Sequence, residues 1–130
     1  MKNHEFVTVI IDNTAYLGIK HMNSGNILIN LCPHDATMIL DGEEVEIPAS
    51  GKLARCKQTT IRTGRTFCGF LVSRSEYGAV EGLPNPIPGY GFLVSGMVKG
   101  RVPDRLDVFA PSETIRNESG QVAGATSLGE

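Results

Sequence analysis

The sequence predicts an all-β or mainly β fold: a compact barrel or sandwich of short strands with one short helix near residues 95–101. Two observations lead there. Short runs of β-branched and aromatic residues recur between turn signals roughly every 8 to 12 residues. Fifteen glycines and seven prolines punctuate them, and such chains are built from strands and turns. The chain has 130 residues, the size of one domain. A domain of that size buries about two-thirds of its unfolded surface and needs no staples.

The elements follow in order. EFVTVII (Glu5 to Ile11) reads as a strand, Asp12-Asn13 as a turn, and Ala15 to Lys20 as the returning strand of a hairpin. Asn23-Ser24-Gly25 is a turn signal. NILINL alternates, with Ile27, Ile29 and Leu31 on one face. Thr37 to Leu40, Asp41-Gly42 and Glu43 to Ile47 form the clearest hairpin, because glycine tolerates the positive φ of a tight turn. Lys52 to Cys56 alternates again. TFCGFLVS (Thr66 to Ser73) is an apolar run suited to a buried strand, and Tyr77 to Glu81 is a second short one. Three prolines make 82–89 irregular. Tyr90 to Ser95 is a core strand. Ser95 to Val102 is the one helical stretch, with Gly100 as its C-cap and Pro103 closing it. Leu106 to Ala110, Thr114 to Arg116 and Gln121 to Ala125 are short strands, and Thr126 to Glu130 a loose tail. Residues 1–25 are expected to be an added N-terminal β-hairpin on a single β-rich core domain, 26–130.

Charge and cysteine content exclude several roles. The net charge is −2, whereas binding a nucleic-acid polymer needs a field of Lys and Arg to displace counterions. No stretch approaches the about 18 apolar residues of a membrane span, and Met1 to Glu5 lacks the apolar core of a secretory leader. Three cysteines without regular spacing argue for a reducing compartment rather than a disulfide framework. The expected place is a host cytoplasm, or a virion if the protein is structural.

Candidate site residues are polar groups in or beside apolar strands: His34, Ser50, Arg55, Ser95, Arg101, Arg105, Asp107 and Arg116. Such groups either satisfy buried backbone or line a pocket. Arg101 and Arg105 can clamp an anionic ligand; alternatively Arg105 pairs with Asp107 or Asp104 to hold a bend. Cys32 and His34 share a strand face and, with Cys56 or Cys68, offer zinc ligands, but the spacing matches no zinc module. Asp35 points away from its neighbour His34 and is poorly placed to orient it. There is no GxSxG, HExxH, P-loop or HxE…CxxC pattern. No catalytic residue, metal or cofactor is assigned.

Six stretches together resemble a family of small, mostly uncharacterised phage, prophage and bacterial proteins. They are NLCPH (Asn30 to His34), SGKLAR (Ser50 to Arg55), VEGLPNP (Val80 to Pro86), YGFLVS (Tyr90 to Ser95), VPDRLDV (Val102 to Val108) and IRNESG (Ile115 to Gly120). The family pattern runs Asn-Leu-Thr-Pro-His, Ser-Gly-x-x-Ala-Arg, Gly-Leu-Pro-x-Pro, Tyr-x-Val-Ser, Pro-x-Arg-x-Asp-Val and Val-Arg-Asp-x-x-Gly. Cys32 stands in place of threonine, Asn117 of an aspartate and Ala125 of a frequent cysteine. The first 25 residues lie outside the pattern. The resemblance implies a phage or mobile-element context and brings no firm activity.

Three functions are then open. The first is a phage-type, non-enzymatic binding protein, a homo-oligomer that takes a small anionic ligand or a host protein and sequesters a nucleotide signal of host defence. The second is a structural or interaction protein such as a small virion component, using edge strands and the N-terminal hairpin for β-augmentation. The third is a hydrolase using His34 with a distant carboxylate. Convergence of His34 with Arg101 and Arg105 in one pocket favours the first; scatter favours the second.

Overall fold

In the computed structural model, which describes residues 3–130, ten strands and one helix follow in chain order: β1 (His4–Ile11), β2 (Thr14–His21), β3 (Ile27–Asn30), β4 (Ala36–Leu40), β5 (Glu43–Ile47), β6 (Arg55–Phe67), β7 (Phe70–Glu81), β8 (Tyr90–Leu93), α1 (Gly96–Arg101), β9 (Val108–Arg116) and β10 (Val122–Gly129). Eight strands make one curled sheet, ordered β1-β2-β3-β8-β9-β10-β4-β5, while β6 and β7 form a separate ribbon. The protein is thus mainly β with one short helix, and the curled sheet is a half-barrel. The N-terminal hairpin belongs to this sheet, because β2 pairs with β3 from Gly18↔Ile29 to Lys20↔Ile27.

Three hairpins turn through two-residue loops with positive φ at both positions: Asp12-Asn13 (49° and 64°), Asp41-Gly42 (51° and 77°) and Cys68-Gly69 (50° and 82°). That is the type I′ geometry whose twist matches the flanking strands. The sheet centre is different. β3 pairs in parallel with β8, and β8 with β9, so these strands need long crossovers. They are apolar on both sides. Ile29, Phe92, Val94 and Val108 face an outer layer that contains Val98 of α1 and Ala54, with Leu83 and Ile87 packed against it. Leu28, Leu93 and Phe109 face the hollow of the half-barrel with Ile19, Ile47 and Met38. Burial on both faces explains why YGFLV reads as a continuous apolar run.

At one end the half-barrel is latched shut. Asn30 is fully buried. Its Nδ2 donates to the carbonyls of His34 (2.9 Å) and Ile47 (3.1 Å), and its Oδ1 accepts from the Cys32 amide (2.9 Å). The Asn30 carbonyl accepts from Ser50 N at 3.0 Å, and Asn30 forms a parallel bridge with Ala49. One side chain therefore ties the end of β3 to the end of β5, strands far apart in the sheet order.

Several expected elements lie elsewhere. Thr66 to Ser73 is not a buried strand: the chain reverses at Cys68-Gly69, and Phe67 and Phe70 face solvent. Here an apolar run marks a hairpin tip. Lys52 to Ala54 is loop, and strand begins at Arg55. The short strands around Leu106–Ala110 and Thr114–Arg116 merge into β9, and the supposed loose tail continues as β10, paired with β9 to Gly129↔Ala110. The helix occurs where expected, with Ser95 as its N-cap, but Val102 caps its C-terminus and Gly100 lies inside it.

Replacing Asn30 with alanine leaves the buried Ile47 carbonyl and two part-buried groups, the His34 carbonyl and the Cys32 amide, without this partner, and a buried group left unsatisfied costs about 1–3 kcal/mol. A loss of about 2–3 kcal/mol is expected in urea denaturation. Asn30→Asp should be no milder, since it sets oxygen against both carbonyls. A loss below about 1 kcal/mol for either variant would remove the latch from the account.

Candidate functional site

The end of the half-barrel opposite the latch is open. Here β3, β8 and β9 begin and β2 and β10 end, and between them lies a cavity of about 850 Å³. Ile19, Leu28, Tyr90, Phe109 and Leu128 line its walls, and Pro86, Ile87 and Pro88 form part of its rim. Gly91 makes room for the Phe109 ring, which would sit 3.1 Å from a Cβ at that position. The volume is that of a small-molecule pocket, and the lining is mostly apolar as such pockets are.

Its polar groups sit at the mouth. His4 and His21 stack at 5.2 Å between ring centroids with a 42° tilt, and His21 Nδ1 shares a 2.7 Å hydrogen bond with the Ser24 hydroxyl. Burial, and then the neighbouring His21, hold the His4 imidazole below its ordinary pKa. His4 also lines a smaller hollow with Leu40, Asp41, Glu43, Glu44 and Val45. An acidic turn therefore borders the cavity mouth.

The predicted site residues do not meet in this cavity, which only Asp107 among them lines. His34 is exposed in the β3–β4 loop, its carbonyl held by Asn30. Its neighbour Asp35 accepts from Ala49 N at 2.8 Å. Ser50 accepts from Lys52 N and donates to Lys52 O, shaping its own turn. Arg55 stands opposite Glu81 in the strand register at the root of the ribbon. Ser95 caps α1 through Val98 N. Arg101 lies 4.7 Å over the Tyr77 ring. Arg116 donates to Gly120 O at the β9–β10 turn.

Arg105 grips Asp107 with two hydrogen bonds, Nε to Oδ1 at 2.7 Å and Nη2 to Oδ2 at 2.8 Å, and reaches Pro84 O at 2.9 Å. The same pairing holds the Asp107 carboxyl below, and the Arg105 guanidinium above, their usual ranges. The buried Lys99 donates to Arg105 O at 2.8 Å. This cluster ties the irregular 82–89 segment to the start of β9, so its arginine is already engaged. Among the described residues no three His, Cys, Asp or Glu side chains gather to hold a metal ion. Burial pushes the Cys32 thiol up, away from the thiolate a metal requires.

The second exposed feature is the β6–β7 arm. Its strands of 13 and 12 residues reach about 40 Å at 3.3 Å per residue. Its root packs on α1, where Val80 joins the outer core. Its middle is polar, with Gln58 donating to Ser75 at 3.0 Å and Thr63 to Val72 O at 3.0 Å beside Gly64. Its tip is apolar and bare: Phe67 is 71% exposed, Phe70 74% and Leu71 65%. Sequence reasoning missed this arm, the latch Asn30 and the His4–His21 pair. The available signal for the arm was symmetry: Phe-Cys-Gly-Phe, with a glycine second in the turn and long polar β-prone flanks on both sides.

No protein-family model, no curated protein and no solved structure matches the chain. Among the described residues no helix is long and apolar enough to cross a membrane.

Asp107→Asn should cost about 1.5–3 kcal/mol, the range for a hydrogen bond to a charged group. In the wild type that contribution is present at neutral pH and lost as pH falls through the depressed Asp107 pKa, since the unfolded chain binds the proton first; an acid melt parallel to that of Asp107→Asn would refute it. For His4 the lowered pKa gives the same sign in a higher window. The β1–β2 end is firmest above pH about 6.5 and loosens below it, toward the lowered value, as the unfolded imidazole protonates first. Amide protection factors of β1 and β2 at pH 7.5 and pH 5.5 report it, and equal protection at both would refute it.

Proposed function

We propose that this chain is a structural or interaction protein of phage type, a small virion component that works by docking on neighbours. The observation that carries this reading is the arm with its bare apolar tip. Two phenylalanines and a leucine held in water at the end of a long ribbon are a cost to a free monomer, and exposed apolar patches of this kind mark interaction sites. A lone two-stranded ribbon is marginal in water, and a partner would stabilise it. The separation of His34 from Arg101 and Arg105, each with a local role, favours the same reading over an anion clamp.

The sequestering alternative keeps one observation, the cavity of about 850 Å³. Its apolar walls suit a largely apolar ligand better than a cyclic nucleotide. Calorimetry against cyclic di- and trinucleotides and ADP-ribose derivatives tests the anionic version, and heat with saturation would restore it.

The structural reading predicts that the chain sediments with purified particles from a producing culture and self-associates when concentrated. A protein that is strictly monomeric and absent from particles would overturn it.

A further inference from the structure

We propose that the arm tip of one copy seats in the open cavity of a second copy, forming a head-to-tail contact. This rests on the interaction-protein reading and names the partner and both surfaces.

The two surfaces are complementary in shape class and charge. The tip offers Phe67, Phe70 and Leu71, and the cavity offers Ile19, Leu28, Phe109 and Leu128. Behind the tip stand Arg62 and Arg65, with Arg74 paired to Glu76 at 3.4 Å, and Asp41, Glu43 and Glu44 line the smaller hollow that shares His4 with the cavity. The split runs through the whole chain. Between Arg55 and Glu81 there are five basic and two acidic residues, a net +3; the chain carries −2, so the remainder carries −5. A basic collar behind an apolar plug thus faces an acidic turn on one side of an apolar socket.

The contact is between copies rather than within one. The arm root packs on α1 in the outer layer, whereas the cavity opens at the end of the sheet where β3, β8 and β9 begin. Plug and socket being different surfaces, the interface is heterologous and propagates into rings or filaments. An aromatic side chain buries about 150–250 Å², so the tip supplies roughly 500 Å² and the whole contact falls at the small, transient end of interface sizes. The single contact is therefore weak, and weakens further with salt as the charged collar is screened.

Two variants at exposed positions separate the surfaces. Phe67→Ser with Phe70→Ser removes the plug and leaves the socket; Leu128→Arg blocks the socket with a charge that repels the collar and leaves the plug. In sedimentation velocity the wild type should form larger species as its concentration rises, and less so at high salt. Each variant alone should stay monomeric with a wild-type circular-dichroism spectrum. Their equimolar mixture should give a heterodimer and nothing larger, because one intact plug meets one intact socket. A mixture that stays monomeric, or a plug variant that still assembles like wild type, would overturn the proposal. A wild type that is monomeric alone yet present in particles would overturn it and leave the interaction-protein reading standing. A monomeric wild type that floats with anionic vesicles would overturn it in favour of a lipid partner for the tip. Wild type monomeric and absent from particles would remove both.

Discussion

The fully buried side chain of Asn30 makes three hydrogen bonds, and the shape of the half-barrel depends on them. In the sheet order β3 and β5 stand five places apart, and the ladders between neighbouring strands do not bring them together. Here the end of β3 is bound to the end of β5, and Ala49 and Ser50 follow β3 for another step. The latch closes one end, so the hollow is a cup rather than a trough. Apolar residues such as Leu93 and Ile47 are fully buried near the closed end, while Leu128 near the mouth remains 38% exposed.

The polar groups that drew attention in the sequence are consumed by construction. Arg105 holds Asp107 and the Pro84 carbonyl, Lys99 holds the Arg105 carbonyl, and Ser95 starts the helix. Each satisfies buried or half-buried backbone, which is the usual fate of such groups. On the arm, Arg74 reaches Glu76 at 3.4 Å, and Arg62 and Arg65 stand exposed behind the tip.

Fold class, the two turns Asp12-Asn13 and Asp41-Gly42, and the helix beginning at Ser95 were legible because each rests on local chemistry: positive-φ residues between alternating strands, and an N-cap hydroxyl. The arm was not, because an apolar octapeptide looks the same in a core and at a hairpin tip. Only the unpaired surroundings of Phe67 and Phe70 distinguish the two, and those are a tertiary fact. Cys68 hid the turn further, since cysteine at φ 50 is an uncommon occupant of a position that asparagine usually fills. The cup and its histidine pair were also out of reach. They arise from bringing residues 4, 21, 91, 109 and 128 to one end of the sheet through two crossovers, and no periodicity records that.

The arm also changes how the chain must fold. Pairing β3 with β8 closes a loop of about 60 residues, and loop-closure entropy is the slow part of building parallel strands. The arm is inserted within that loop and joins its own root at Arg55↔Glu81 using only neighbours in sequence. Once it has zipped, the loop that remains is about 35 residues, and the closure is easier by only about 0.5 kcal/mol on a logarithmic scale. The body therefore barely registers how long the ribbon is. Its length is a nearly neutral variable, free to be lengthened or shortened two residues at a time, one on each strand, while the cup and its latch stay unchanged.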